Sequence, residues 1–124
     1  MRVYIAGALT SKENTDRTPS QVVTDYIKNV GIMCMVAGRL IKKGYDPYVP
    51  GVDFLVGVVH GGIEEDEYRS TGMAFMEVCD AVLVISDSYG VRQEVERANK
   101  LHIPVFYNEK ELDEYTKEKI DVIR

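Results

Sequence analysis

Residues 88–94, Ser-Tyr-Gly-Val-Arg-Gln-Glu, are the segment of this chain whose residue types point most directly to chemistry. The segment follows a strongly apolar run and precedes a helical pattern, so its backbone N–H groups are predicted to lie at a helix N-terminus, where phosphate or carboxylate groups bind. Gly90 permits a close approach of the backbone to a ligand. Glu94 lies one position off the apolar stripe that begins with Val91 and Val95, which predicts that its side chain points into a ligand crevice.

Glu94 is a candidate nucleophile. The positive end of the helix is expected to keep its carboxylate ionised, and an ionised, positioned carboxylate can attack an anomeric carbon. The simpler interpretation is that Glu94 only interacts favourably with the helix dipole. Tyr4 stands near the carboxyl end of the first predicted strand, where its hydroxyl needs a partner. Both Glu94 and a backbone group are open as that partner.

These residues need a scaffold, and the chain alternates predicted strands and helices. The run AVLVI at 81–85 has five consecutive apolar residues, which is typical of a central parallel strand buried on both faces. The order predicts one domain, residues 1–124, in which helices cover both faces of a parallel sheet. Ligands bind beyond the carboxyl ends of such strands. Strands are predicted at 2–6, 45–49, 81–85 and 103–107, and helices from Pro19 (capped by Thr18) to Gly44, over 64–79, from about 90 to 102, and from Lys110 onward.

The packing of four segments is also predicted. The loop 51–63 is apolar and glycine-rich, with one helical turn as an option. His102 is a candidate for the inner face of the helix that follows residue 88, and the charged tail from Lys110 is either a surface helix or a subunit contact. Apolar residues that recur three and four positions apart predict that the first helix buries one stripe of side chains. This stripe consists of Val23, Ile27, Val30, Cys34, Ala37 and Ile41.

Composition excludes several classes of protein. The chain has 124 residues, a formal net charge of −5 and 45% hydrophobic residues, as expected for one globular domain. The acidic balance argues against a nucleic-acid polymer as partner, and no apolar run is long enough for a membrane span. The apolar run at the start of the chain is too short for a signal peptide. Cys34 and Cys79 lack CxxC spacing, so we expect neither a zinc site nor a disulfide, and a reducing cytoplasm as the location.

Three segments together resemble the nucleoside 2-deoxyribosyltransferase superfamily. They are VYIAG at 3–7, CDAVLVI at 79–85 and SYGVRQEVERA at 88–98. Within the superfamily the sequence is most similar to the 2'-deoxynucleoside 5'-monophosphate N-glycosidases. The resemblance implies a flavodoxin-like three-layer α/β/α sandwich, with a parallel sheet of four to five strands. It also implies cleavage of the N-glycosidic bond of a nucleoside or its 5'-monophosphate, without a metal or other cofactor.

The resemblance implies a role for each matching residue. Glu94 would attack C1' of the sugar, and Tyr4 would hold its carboxylate by a hydrogen bond. Water as acceptor gives a hydrolase, and a second base gives a transferase. The sugar would be wrapped by Gly7, Ala8 and Leu9, and the 5' end of the nucleotide would be held by Ser88, Gly90 and Val91. A serine at 88 suits a phosphate dianion, because the aspartate of the transferase branch would repel it.

The sequence departs from the family pattern at the general acid. The second carboxylate of the family, which protonates the leaving base, falls on Gly72, which cannot serve. Asp66 and Asp87 are the two stand-ins, with nothing to choose between them.

A second departure concerns phosphate binding. The basic residue that the monophosphate enzymes carry in their first loop is Thr10 here, and Lys12 or Arg92 could compensate.

Two other classes of function and the state of assembly remain to be considered. A non-catalytic nucleotide-binding module on the same fold is the alternative to an enzyme, because the missing carboxylate would leave the site inert. A receiver-like signalling domain would need acidic residues after the first strand, where Gly7, Ala8 and Leu9 stand. Family members are commonly oligomeric, so we expect a homodimer or higher homo-oligomer, with residues 51–63 and the charged tail as interface candidates.

Overall fold

The structure is a computed structural model that describes residues 1–9 and 16–123, with side chains described up to residue 119. Four strands and five helices follow one another along these residues. The strands are β1 (Arg2–Ala6), β2 (Asp46–Tyr48), β3 (Ala81–Val84) and β4 (Val105–Phe106). The helices are α1 (Pro19–Lys42), α2 (Phe54–His60), α3 (Glu65–Met76), α4 (Tyr89–Lys100) and α5 (Glu109–Ile123).

All four strands are parallel, in the order β2-β1-β3-β4. The chain therefore moves from β1 to one side of the sheet and then crosses to the other side, so the strand order reverses between β1 and β3. This is the flavodoxin-like order, in which the reversal opens a crevice at the carboxyl ends of the two central strands. The predicted α/β sandwich with a parallel sheet of four to five strands is confirmed.

The sheet separates two apolar cores because side chains alternate between its faces. Val3 and Ile5 of β1 pack with residues of α1 and with Leu112 of α5. Tyr4 and Ala6 face the other side, where the core contains residues of α3 and α4. The helices therefore form two outer layers, and the side chain of Tyr4 faces the layer that contains α3 and α4.

The ends of α1 are set by local sequence. Thr18 and Gln21 form a reciprocal capping box, and Pro19 occupies the first turn. Gly44 follows the helix with φ +94°, a conformation that favours glycine. The predicted start and end of this helix are confirmed.

The predicted buried stripe of α1 is wrong in part. Val30 and Ala37 are buried, but Val23, Ile27 and Ile41 are exposed, and so is Cys34. The helix instead buries a stripe one position earlier, which consists of Val30, Met33, Val36, Ala37 and Leu40. Its sequence carries apolar residues on two adjacent stripes, and only the C-terminal half of the helix packs on the core.

The other packing expectations have mixed outcomes. The segment 51–63 contains the seven-residue helix α2, none of whose residues is buried. His102 is exposed with φ +59°, just beyond the end of α4, and does not lie on the inner face. The tail forms α5, which buries Leu112 and is joined to α1 by the ion pair of Arg39 and Glu109. No helix in the part of the chain that the structure describes is long and apolar enough to cross a membrane.

We predict that Gly51→Ala lowers the free energy of unfolding by about 1–3 kcal/mol. Gly51 is buried with φ +94°, and a Cβ there would lie 2.8 Å from Cδ2 of Leu9. Gly38→Ala is the matched control. Gly38 is exposed within α1 with open space around it, so alanine should stabilise the helix by about 0.5–1 kcal/mol. Urea unfolding of both variants measures the difference, and equal stabilities would contradict the prediction.

Candidate active site

A cavity of about 500 Å³ opens at the carboxyl ends of the central strands. Its inner wall comes from β1 and the first turns of α4, and its outer wall from α1, α2, α3 and the loop after β2. The cavity therefore lies at the reversal of strand order, where ligands bind in this fold. The lining residues are Tyr4, Gly7, Leu9, Tyr26, Pro50, Gly51, Asp53, Phe54, Glu65, Tyr68, Arg69, Gly72, Met73, Ser88, Gly90 and Glu94.

Glu94 and Tyr4 meet on the inner wall of this cavity. The Tyr4 hydroxyl forms a hydrogen bond with the Glu94 carboxylate. The Tyr4 ring is buried and stacks on Tyr48 at a centroid distance of 5.6 Å, and Tyr48 stacks on Phe75 at 4.8 Å. Glu94 Oε2 is buried and accepts no hydrogen bond from any residue that the structure describes. One carboxylate oxygen is thus left for a ligand.

The structure does not bear out the prediction that the positive end of the helix keeps Glu94 ionised. Burial raises the pKa of Glu94 to about 7, although the hydrogen bond from Tyr4 and the charge of Arg69 both lower it. Desolvation is the larger effect because the carboxylate lies beyond the first turn of α4, where the helix dipole has faded. Near neutral pH the protonated and ionised forms of Glu94 therefore coexist.

Ser88 caps the helix that carries Glu94. Its Oγ accepts a hydrogen bond from the Val91 N–H at 3.1 Å, so the cap is Ser88 and Gly90 lies inside the first turn. Ser88 and Gly90 both line the cavity. Val91 is buried in the core and does not line it.

The loop after β1 contributes two of its three predicted residues to the cavity. Gly7 and Leu9 line it, and the Asn29 side chain donates a hydrogen bond to the Leu9 carbonyl at 3.1 Å. Ala8 is not among the lining residues, and its N–H donates to Ser86 Oγ at 2.8 Å. Thr10 and Lys12 lie outside the described residues.

Neither stand-in for the general acid faces Glu94. The Asp66 side chain is 95% exposed. Asp87 pairs with Arg92 at 2.8 Å beside a different cavity, so Arg92 is also directed away from this site. The carboxylates that do share the cavity with Glu94 are Asp53 and Glu65.

Residues 1–107 match the domain of unknown function DUF4406, and this match covers most of the chain. The chain belongs to the DUF4406 family. No curated protein matches it.

The outer wall of the cavity in this DUF4406 domain contains residues that the sequence did not single out. Tyr26 donates a hydrogen bond to the Gly51 carbonyl at 3.1 Å and packs edge-on against Phe54. The Tyr68 hydroxyl lies where a side chain at Gly57 would be. Tyr26 and Tyr68 each lie one turn before a buried residue on their helix, Val30 and Gly72, and this spacing is the signal that could have identified them.

Arg69 is the only cation among the described residues that line the cavity. Its Nη2 pairs with Glu65 at 3.0 Å, and its charge acts on Glu94 across the cavity. Gly72 lies one turn further along α3, where a Cβ would come within 3.3 Å of the Tyr4 hydroxyl. The helix therefore passes directly over the Tyr4–Glu94 pair and presents Arg69 beside it.

The raised pKa of Glu94 predicts a pH-dependent loss of stability. The folded state binds the proton more tightly than the unfolded state, so Glu94 stabilises the fold below pH 4.5 and this contribution disappears as the pH rises to about 7. Relative to Glu94→Gln, the wild type should lose up to about 3 kcal/mol over this interval. Urea unfolding between pH 4 and about 8 measures the difference.

Glu96→Gln is the control for this measurement, since Glu96 is exposed on the same helix. It should keep the wild-type pH dependence. Parallel curves for the wild type and Glu94→Gln would show that Glu94 titrates normally.

Proposed function

We propose that this DUF4406 domain cleaves the N-glycosidic bond of a nucleoside or deoxynucleoside 5'-monophosphate, as a relative of the nucleoside 2-deoxyribosyltransferases. The observation that carries the proposal is the pairing of Glu94 with Tyr4 on the wall of a cavity of about 500 Å³. A cavity of this size suits a nucleotide. The location, at the strand-order reversal of a flavodoxin-like sheet, supports it further.

The chemistry starts from the ionised carboxylate of Glu94. Its oxygen attacks C1' of the sugar while the base leaves with the electron pair of the C1'–N bond. The Tyr4 hydrogen bond orients the carboxylate and is retained throughout. Water, or a second base, then attacks the same carbon and releases Glu94. Glu94 Oε2 has no hydrogen-bond donor among the residues that the structure describes, which suits an oxygen that must form a bond to the substrate.

In this proposal, different residues contact the sugar ring and the 5' end of the nucleotide. Gly7 and Leu9 bound the ring from the β1 side, and Ser88 and Gly90 place the first turn of α4 at the 5' end. N–H groups of a first helical turn have no partner within the helix and attract phosphate. Ser88 adds its hydroxyl without adding negative charge.

The test is release of free base from a panel of nucleosides and their 5'-monophosphates. We expect Glu94→Ala to lower kcat/KM by at least about a thousandfold, since the nucleophile is lost. Tyr4→Phe should lower kcat/KM by about 10- to 100-fold, the value of one hydrogen bond to a charged group.

In the wild type, the rate of base release should rise with pH and level off above about 7, as Glu94 ionises.

Glu96→Gln again serves as the control and should leave base release unchanged. Undiminished release by Glu94→Ala would contradict the mechanism. Tight nucleotide binding without base release, unaffected by Glu94→Gln, would instead identify a binding module, an outcome that Gly72 in place of a second carboxylate favours.

We further propose that the domain forms a homodimer or higher homo-oligomer, within a reducing cytoplasm, through the surface of α2. This helix carries no Asp, Glu, Lys or Arg, and its last residue is His60. Its side chains are unusually exposed for apolar groups: Val58 is 70% exposed and Val59 80%. Leu55 and Val56 extend the same surface. An exposed apolar patch of this kind marks an interface.

Val59→Asp should shift the protein to a smaller species, because a charge at the centre of an apolar interface remains unpaired. Sedimentation velocity or light scattering measures the mass. Val78→Asp is the control, since Val78 is also exposed but follows α3, away from α2. A wild type that is monomeric at all concentrations would contradict the proposal.

A further inference from the structure

We propose that Arg69 replaces the missing general acid: its guanidinium binds the leaving base through adjacent oxygen and nitrogen acceptors, and so selects 6-oxopurines. This inference rests on the proposed function. It concerns the outer half of the cavity, which the assignment of Glu94, Tyr4 and the first turn of α4 leaves unexplained.

The position of Arg69 is the first support. It lies on α3 one turn before Gly72, and Gly72 covers the Tyr4 hydroxyl. The charge of Arg69 acts on Glu94, so its guanidinium lies within electrostatic reach of the carboxylate that would attack the sugar. Arg69 is the only cation among the described residues of the cavity wall.

The second support is that the guanidinium has donors to spare. Within the described residues its one hydrogen bond joins Nη2 to Glu65 at 3.0 Å, and Nη1 lies 3.9 Å from Oδ1 of the exposed Asp66, which is beyond hydrogen-bond distance. That pair is an exposed i,i+4 contact on a helix surface, which is weak and easily rearranged. A guanidinium carries five N–H donors in a planar fork, so the remaining donors can bind a second planar group.

The surrounding side chains suit a flat heterocycle. Tyr26, Phe54 and Tyr68 provide aromatic surface on the outer wall. Asp53 and Glu65 provide acceptors for ring N–H groups. A 6-oxopurine offers O6 and N7 as adjacent acceptors, which is the pair that an arginine fork binds best. An adenine presents an amino group at C6, which would place a donor against a donor.

The same contact would assist the chemistry. When the C1'–N9 bond breaks, its electron pair passes to N9 and is delocalised over the ring to N7 and O6. Arg69 keeps its protons and stabilises this negative charge by hydrogen bonds, as donors do in an oxyanion hole. The purine anion takes its proton from water after release, so no acidic side chain is needed.

The experiment compares three substrates: the deoxynucleoside 5'-monophosphates of hypoxanthine and adenine, and 4-nitrophenyl deoxyriboside 5-phosphate, whose leaving group is already a stable anion. The wild type should prefer hypoxanthine to adenine by about 10- to 100-fold. Arg69→Gln should lower kcat/KM for the hypoxanthine nucleotide by about 10²- to 10³-fold and for the nitrophenyl substrate by less than about threefold. Arg69→Lys keeps the positive charge but lacks the planar fork of donors, so its kcat/KM for the hypoxanthine nucleotide should lie between those of the wild type and Arg69→Gln.

Arg97→Gln is the matched control, because Arg97 pairs with Glu77 outside the cavity. Equal losses on all three substrates, or no preference for hypoxanthine, would overturn the inference while leaving Glu94 in place. Calorimetric binding of free hypoxanthine gives a readout that needs no turnover: the wild type should bind it, and Arg69→Gln should not. Absence of base release from every substrate would refute the proposed function, and hypoxanthine binding unchanged in Arg69→Gln would refute this inference.

Discussion

The contact between the Tyr4 hydroxyl and the Glu94 carboxylate is the constraint on which the rest of this site depends. It joins the central strand β1 to helix α4 across the crevice where the strand order reverses. The carboxylate is desolvated there, with one oxygen lacking any donor among the described residues. Burial of an under-satisfied carboxylate lowers stability, so the surroundings must exclude anything that would crowd it further. Gly72 meets this requirement, because any side chain at that position would press on the Tyr4 hydroxyl.

The parts of the fold that local sequence dictates were predictable. The run of apolar residues in β3 and the Thr18–Pro19 start of α1 each have a single physical interpretation. The buried face of α1 had two possible interpretations, because apolar residues occupy two adjacent stripes of the helix. Only the packed structure shows which stripe contacts the sheet. Helix α2 was predicted mainly as loop because Gly57 and the lack of a polar face hide the helical period.

The candidate site was predictable where it lies close to the end of a strand, and not on the more distant helix α3. Tyr4 and Gly7 are placed by the end of β1, Glu94 is placed by its step off the apolar stripe of α4, and all three line the cavity. Helix α3 begins with a run of acidic residues, and one step along a helix rotates a side chain by about 100°. Glu65 and Arg69 therefore line the cavity while Asp66 points to solvent. The number of residues between these positions and β3 does not show which of their side chains faces the cavity.

The balance of charges in the cavity links ligand binding to the protonation state of Glu94. Asp53, Glu65 and Glu94 face a single guanidinium among the described lining residues. In the proposed reaction, a phosphate dianion beside Ser88 would add negative charge and so favour the protonated form of Glu94, whereas attack on the sugar would require the ionised form. The Arg69–Glu65 pair is the adjustable element in this conflict, because it is exposed and weakly held. If the proposed function holds, an Arg69 released from Glu65 would bind the base and lie closer to the Glu94 carboxylate, so that substrate binding would itself favour the ionised form of Glu94.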